Sequence, residues 1–230
     1  TGVSSHPGKF GFVALHNILS CGYKGEVFAI GREESIVLEQ RVFTSLDSVP
    51  KDAADLIVLC TPVEVNEEMV RRASEKGVKA VFCAAGGYSE TGEKGLQAEK
   101  RLVSLTEELD LVLAGPNGQG VVSPHVGLCA QIVAPYAPKG RIGVVSQSGN
   151  FVSSFLNYAN QTGIGISRSV SAGNAAATEI IDFLEWFAID PKTDVALCYL
   201  EGLDDGRDFF ERVKEITREM PVVLVKGGTT

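Results

Sequence analysis

No two cysteines of this chain are spaced as C-x-x-C, no apolar run approaches the roughly 20 residues of a membrane span, and basic residues are not in excess. The five cysteines, Cys21, Cys60, Cys83, Cys129 and Cys198, are odd in number, widely spaced and mostly set in apolar runs such as Leu56-Ile57-Val58-Leu59-Cys60. They are expected to be small core residues in a reducing compartment, neither a disulfide framework nor a zinc site, and no metal ligand set is expected. With 21 Lys and Arg against 29 Asp and Glu, the net charge is −8. That balance excludes a broad face for nucleic acid or anionic lipid, so any anionic ligand must be held locally by backbone N–H groups and a few cations. Histidine is scarce too: His6 lies in the first loop, His16 in a helical pattern and His125 in a proline-bearing stretch, and none is assigned a catalytic role. The first residues do not read as a signal peptide, so a cytoplasmic protein without membrane or nucleic-acid partners is expected.

What is present is length and alternation. The 230 residues, 44% hydrophobic and 22% charged, suffice for one large or two modest α/β domains. After the loop Thr1 to Gly11, Phe12, Leu15 and Leu19 recur at helical spacing, and a strand is expected to precede that loop. Glu26 to Ile30 reads as a short strand and Asp55 to Cys60 as a second, stopped by Thr61-Pro62. A helix carrying Val65, Met69, Val70 and Ala73 follows and ends at Gly77. Next come strand Lys79 to Cys83, the turn Ala84-Ala85-Gly86-Gly87-Tyr88, a helix from about Glu93 to Leu109 and strand Leu111 to Ala114. Val121 to Lys139, with Pro124, Pro135 and Pro138 and no clear periodicity, reads as the crossing between domains. Beyond it the alternation resumes and stops at the loop Gly227-Gly228-Thr229-Thr230, where a further helix and strand are expected. Strict alternation predicts a parallel sheet with helices on its faces and ligands at the carboxyl ends of its strands.

Several of those ends carry candidate chemistry. In Arg141 to Phe151, RIGVVSQSGNF, an apolar strand breaks into Ser146-Gln147-Ser148-Gly149 and then into a helix. Such a turn suits a phosphoryl group at the positive end of a helix, or is a plain N-cap by Ser148. Glu201 closes an apolar strand expected at the same rim, where it could orient or deprotonate an imidazole or simply be an exposed loop charge. The opening loop is neither G-x-G-x-x-G nor a Walker A loop, yet Ser4, Ser5, Lys9 and its amides could cradle phosphates. The alternative is an ordinary strand-to-helix turn. Gly115-Pro116-Asn117 reads as a rigid turn.

Taken in order, T-G-V-S-S-H-P-G-K-F-G, A-A-G-G-Y, G-P-N-G-Q-G, V-V-S-Q-S-G, V-S-A-G-N, D-P-K-T and Y-L-E-G-L-D-D-G-R closely resemble the nucleoside-diphosphate-forming acyl-CoA synthetases. These are relatives of the succinyl-CoA synthetase α subunit. The resemblance implies a Rossmann-like CoA-binding domain over residues 1–123, a connector over 124–139 and a flavodoxin-like, doubly wound ligase domain over 140–230. The implied reaction joins a small carboxylic acid to coenzyme A at the expense of ATP, through an acyl phosphate and a phosphohistidine. Carried across, Thr1, Gly2, Ser4, Ser5 and Lys9 would hold CoA phosphates, and Arg32 and Pro62 would border its nucleotide part. Gly86 and Asn117 would flank its thiol end. Ser146, Gln147, Ser148 and Gly149 would dock the phosphohistidine, which Glu201 would position. The family's histidine lies in a segment expected after Thr230, and ATP or ADP with Mg belongs to an ATP-grasp domain or β subunit. The chain is therefore expected to be part of a longer, oligomeric protein. Gly118 stands where many relatives have cysteine or serine. Two other readings compete: a non-catalytic acyl-CoA-sensing module, and an NAD-dependent redox domain that the poor G-x-G-x-x-G match disfavours.

Overall fold

Apolar side chains at helical spacing along Phe10–Ser20 fold as α1, which turns Ala14 and Leu15 inward. The computed structural model describes residues 1–133 and 136–228; Pro135 of the connector and Thr229 and Thr230 of the closing loop lie outside the described residues. Strands β1 (Ala29–Ile30), β2 (Ser35–Val37) and β3 (Gln40–Phe43) make one sheet in the order β1-β3-β2. Strands β4 (Leu56–Leu59), β5 (Ala80–Cys83) and β6 (Val112–Ala114) make a second, parallel sheet in sequence order. The opening residues lie between the two. The Thr1 nitrogen donates to the Val58 carbonyl at 2.6 Å, and the Val3 nitrogen donates to the Ile30 carbonyl at 2.9 Å. A cavity of about 470 Å³ runs beside this junction, lined by Leu15, Ile18, Phe28, Ile30, Ile57 and Val58 among others.

Helices α2 (Val63–Glu75) and α3 (Glu93–Glu108) bury Val70, Ala73, Leu102 and Leu105 against Leu59, Val81 and Leu113. Each of these Val and Leu side chains taken from water contributes about 1.5–3 kcal/mol. The sequence pattern misses the hairpin of β2 and β3. In β2 Val37 is buried but Ser35 and Ile36 are both exposed, so no alternation declares the strand, and the turn uses Leu38 and Glu39 at positive φ where Asn-Gly is usual. The strand expected over Glu26 to Ile30 forms at its last two residues alone.

The second unit is a six-stranded sheet. Strands β9 (Lys139–Ser146), β10 (Ile166–Ser171), β11 (Val195–Leu200) and β12 (Val222–Lys226) run parallel in the order β12-β11-β9-β10. Central β9 reads as an unbroken apolar run because both faces are covered. Val144 packs with Val152, Leu156 and Ala159 of α4 (Gly149–Thr162). Val145 packs on the other side with Ile181, Leu184 and Phe187 of α5 (Ile180–Ile189) and Phe209 of α6 (Gly206–Ile216).

Residues 120–131, which the sequence reading splits between the first domain and the connector, form a hairpin of β7 (Gly120–Ser123) and β8 (Leu128–Gln131). It extends the second sheet, with β7 antiparallel to β10. Pro124 opens the short 3-10 turn Pro124–Val126 and Gly127 closes it in the left-handed region, so the proline marks a tight reversal between strands. Helix α1 packs on this hairpin: Asn17 donates through Nδ2 to the Gln131 and Val133 carbonyls at 2.8 and 3.1 Å.

Candidate functional site

Because β9, β10, β11 and β12 are parallel, the loops after Ser146, Ser171, Leu200 and Lys226 share one rim. Ser146 and Ser148 shape the first of these loops. The buried Ser146 hydroxyl accepts from the Ser148 nitrogen at 3.0 Å and donates to the Ser148 carbonyl at 2.8 Å. Ser148 is the N-cap of α4, its Oγ accepting from the Phe151 nitrogen at 3.4 Å. Among the described residues the Gly149 and Asn150 N–H groups have no hydrogen-bond partner. Those N–H groups, the Ser148 hydroxyl proton and the dipole of a 14-residue helix make an anion cradle.

Glu201 lies beside this loop, as its place at the end of an apolar strand predicts. The Gln147 amide makes the connection: Oε1 accepts from the Glu201 nitrogen at 2.6 Å and the Gly202 nitrogen at 3.1 Å, while Nε2 donates to the Gly202 carbonyl at 3.1 Å. Lys226 donates to the Glu201 carbonyl at 2.9 Å. The Glu201 backbone is thus fixed from two sides, while its exposed carboxylate has no ion pair among the described residues. Of the four loop residues named from sequence, Ser148 and Gly149 stand at the N-terminus of α4. Ser146 and Gln147 hold the loop itself.

The first domain presents the ends of β4, β5 and β6. Gly2, at φ 73°, lies so close to the Cys60 carbonyl that a Cβ would stand 2.4 Å from its oxygen. Thr1 Oγ1 donates to the Val58 carbonyl at 3.2 Å. In the following loop Ser4 Oγ accepts from the His6 nitrogen at 3.2 Å. Ser5, Lys9 and Arg32 are exposed, and their side chains have no partner among the described residues. Pro62 and Gly86 line a cavity of about 800 Å³ between α2 and α3, together with Arg71, Lys94 and Arg101. Arg71 and Arg101 pair with Glu108 at 3.6 Å and Glu67 at 3.0 Å; Lys94 has no ion-pair partner among the described residues. Arg32 does not line that cavity, so the residues named from sequence fall into two groups: the opening loop with Arg32, and the Pro62–Gly86 cleft.

The two rims meet through residues 115–119. Asn117, at φ 60°, donates its backbone N–H to the Ala85 carbonyl at 2.9 Å, and its Nδ2 donates to Asn174 Oδ1 at 3.3 Å. A Cβ on Gly118 would stand 2.4 Å from the Ser171 carbonyl oxygen and 2.7 Å from the Phe82 ring, so no side chain fits there in this conformation. The Gln119 nitrogen donates to Ser171 Oγ at 3.0 Å, and Gln119 Oε1 accepts from Ser153 Oγ in the first turns of α4. Asn174, after β10, reaches back to Ser89, Glu90 and Glu99 of the first domain. Sequence reasoning missed Glu90, Lys94, Gln119 and Asn174. The G-P-N-G-Q-G and V-S-A-G-N motifs contain Gln119 and Asn174, but pairing residues 34 to 85 positions apart requires the fold.

All five cysteines are free, and Cys83, Cys129 and Cys198 are buried. Burial pushes the Cys83 and Cys198 thiols up to about 12, which makes them poor nucleophiles. His125 donates through Nε2 to the Gly140 carbonyl at 2.8 Å and His16 lies against Asn17, so neither is at the rim of Glu201. Among the described residues no group of three or more His, Cys, Asp or Glu could hold a metal ion, and no helix is long and apolar enough to cross a membrane.

Comparison with known proteins adds an independent line. The CoA binding domain family matches residues 1–124, and the succinyl-CoA ligase like flavodoxin domain matches residues 139–230. Acetate–CoA ligase [ADP-forming] I of Archaeoglobus fulgidus is 33% identical over 99% of this chain and 33% of its own length. The α subunit of acetate–CoA ligase [ADP-forming] I of Pyrococcus furiosus is 32% identical over 99% of this chain and 50% of its own. The structure of Ca. Korarchaeum cryptofilum dinucleotide forming acetyl-coenzyme A synthetase 1 in complex with phosphate and ADP superposes with a TM-score of 0.92. It is 29% identical over 100% of this chain and 49% of that one. The chain thus spans a third to a half of the length of these relatives.

Proposed function

The chain belongs to the CoA binding domain family, and from that premise we propose that it is the CoA-binding and phosphohistidine-docking part of an ADP-forming acyl-CoA synthetase. A small carboxylic acid, CoA and ATP would become acyl-CoA, ADP and phosphate. The observation that carries the proposal is the meeting of two rims: the Pro62–Gly86 cleft and the α4 cradle are joined through Asn117 and Gln119. On this reading an acyl group activated at the cradle is handed across that joint to a thiol in the cleft.

The phosphoryl group would arrive on a histidine supplied from outside residues 1–230. The Gly149 and Asn150 N–H groups and the Ser148 hydroxyl would receive its oxygens, and the Glu201 carboxylate would accept the imidazole N–H and favour the charged ring. The acid's carboxylate oxygen attacks phosphorus and frees the histidine; the CoA thiolate then attacks the acyl carbon and releases phosphate. Lys9, Arg32 and Lys94 supply positive charge for the phosphates of CoA. ATP and its Mg are assigned to an ATP-grasp domain or subunit.

The test is Ser148→Asp in the full-length protein. A carboxylate would stand where phosphate docks, and like charge disfavours binding there. Labelling of the histidine from radiolabelled ATP should fall at least about 100-fold, equivalent to roughly 2.7 kcal/mol, while CoA binding measured by calorimetry stays within about twofold of wild type. Normal labelling in the variant, or wild-type protein that binds no CoA, would refute the proposal.

A further inference from the structure

Asn174 gathers an unusual set of partners from the other domain. Its Nδ2 stands 2.8 Å from Glu90 Oε2, 2.7 Å from Glu99 Oε2 and 3.0 Å from Ser89 Oγ, while its Oδ1 accepts from Asn117 at 3.3 Å. Three acceptors around the nitrogen and a donor at the oxygen fix which way the amide faces. Glu99 is 8% exposed and has no cation beside it among the described residues; Ser89 and Asn174 hold its charge. Two carboxylates therefore converge on one neutral amide.

Glu90 is the other half of the joint. Its Oε1 accepts from the Gly87 nitrogen at 2.5 Å and the Tyr88 nitrogen at 3.2 Å, and a Cβ on Gly86 would stand 3.1 Å from that oxygen. One carboxylate thus grips the Gly86-Gly87 loop with one oxygen and the second domain with the other. Partial burial pushes the Glu90 carboxyl up, but Asn174 and the N–H groups of Gly87, Glu90 and Tyr88 outweigh it and hold the group below the ordinary glutamate value. Hydrogen bonds to a charged acceptor are short and directional, so they set geometry more tightly than an apolar contact of the same area.

We infer that Asn174, acting through Glu90, is a positioning residue that holds the Gly86-Gly87 loop of the first domain in register with the loop after β10. The inference rests on the reaction proposed above, because its catalytic consequence is delivery of the acyl group to a thiol beside Gly86. A displacement of about 1 Å between reacting groups costs on the order of 100-fold in rate.

The experiment compares wild type, Asn174→Ala and Glu90→Ala in the full-length protein. In both variants amide hydrogen exchange in the peptide spanning residues 86–91 should quicken about tenfold. CoA-dependent discharge of the phosphorylated enzyme should slow on the order of 10–100-fold, and the double variant should be no slower than either single. Phosphorylation by ATP should stay within about twofold, which a general loss of structure would not allow. Exchange and discharge equal to wild type would overturn the inference, as would parallel loss of phosphorylation and discharge. Wild-type protein that accepts no phosphoryl group would instead sink the proposed reaction; the exchange measurement would then still decide whether the joint exists.

Discussion

The two rims are built in opposite ways. At the α4 rim the polar side chains are spent on the loop itself: Ser146 closes on Ser148, Ser148 caps α4, and Gln147 ties down Glu201 and Gly202. Backbone N–H groups are left to meet a ligand. At the first-domain rim the backbone is packed tightly and the side chains are idle: Gly2 lies against Cys60 and Gly11, while Ser5, Lys9 and Arg32 point into solvent without partners among the described residues. A preorganised cradle suits a small anion whose charge must be met in one place. Loose cations around a rigid backbone suit a long ligand with several phosphates.

The largest effect should come from breaking the tight backbone of the first rim. A Cβ on Gly11 would stand 2.1 Å from the Gly2 carbonyl oxygen, and neither backbone can retreat, since Gly2 is itself pressed on Cys60. Gly11→Ala should cost about 2–3 kcal/mol, read as a fall in Tm of roughly 5–10 °C. Gly149→Ala in the other rim makes the useful contrast: its Cβ would meet the Gln119 side chain at 2.5 Å, a flexible group that can turn aside, so its loss should be smaller. Equal losses would erase the distinction between a backbone-limited rim and a side-chain-limited one.

A middle effect should come from Gln147→Ala, which removes the amide that spans the loops after β9 and β11. These bonds are exposed to water, so their net stability contribution is about 1 kcal/mol. The functional loss should be larger than that, because Glu201 keeps its carboxylate but is left with the Lys226 bond alone to fix its backbone. Phosphoryl transfer should slow on the order of tenfold while CoA affinity holds. Calorimetric CoA titration beside a phosphorylation time course would separate the two; a matching fall in both would show that the rims are not independent.

The sequence made the α/β alternation legible because helices and central strands bury continuous or periodic apolar faces, as in β9 and α3. It hid β2, β3, β7 and β8 because they pair as hairpins with no helix between them and so stand outside the strand–helix alternation, and Pro124 resembles a linker residue until its turn is seen. The turn Ser146–Gly149 was legible as strand, turn and helix in one stretch. The joint of Glu90, Glu99 and Asn174 was not: its members are 75 and 84 residues apart and none belongs to a motif with a chemistry of its own. What motif spacing carries is local geometry, and the thiol-side register is a long-range property.

The smallest effect on stability, and the sharpest test of idle side chains, should come from Lys9→Ala combined with Arg32→Ala. Neither side chain has a hydrogen-bond or ion-pair partner among the described residues, and surface changes away from structural contacts stay within about 0.5 kcal/mol. Tm should therefore match wild type within about 2 °C. If these cations meet CoA phosphates, each loses a charge-assisted bond worth about 1.5–3 kcal/mol, so CoA affinity should fall on the order of 100-fold or more. Because both groups are exposed, the wild-type affinity should weaken with added salt and the variant's should respond less. Dephospho-CoA and CoA titrated side by side would locate the contact: a variant that loses discrimination between them places one cation at the 3′-phosphate, and unchanged CoA affinity would return both residues to the ordinary surface.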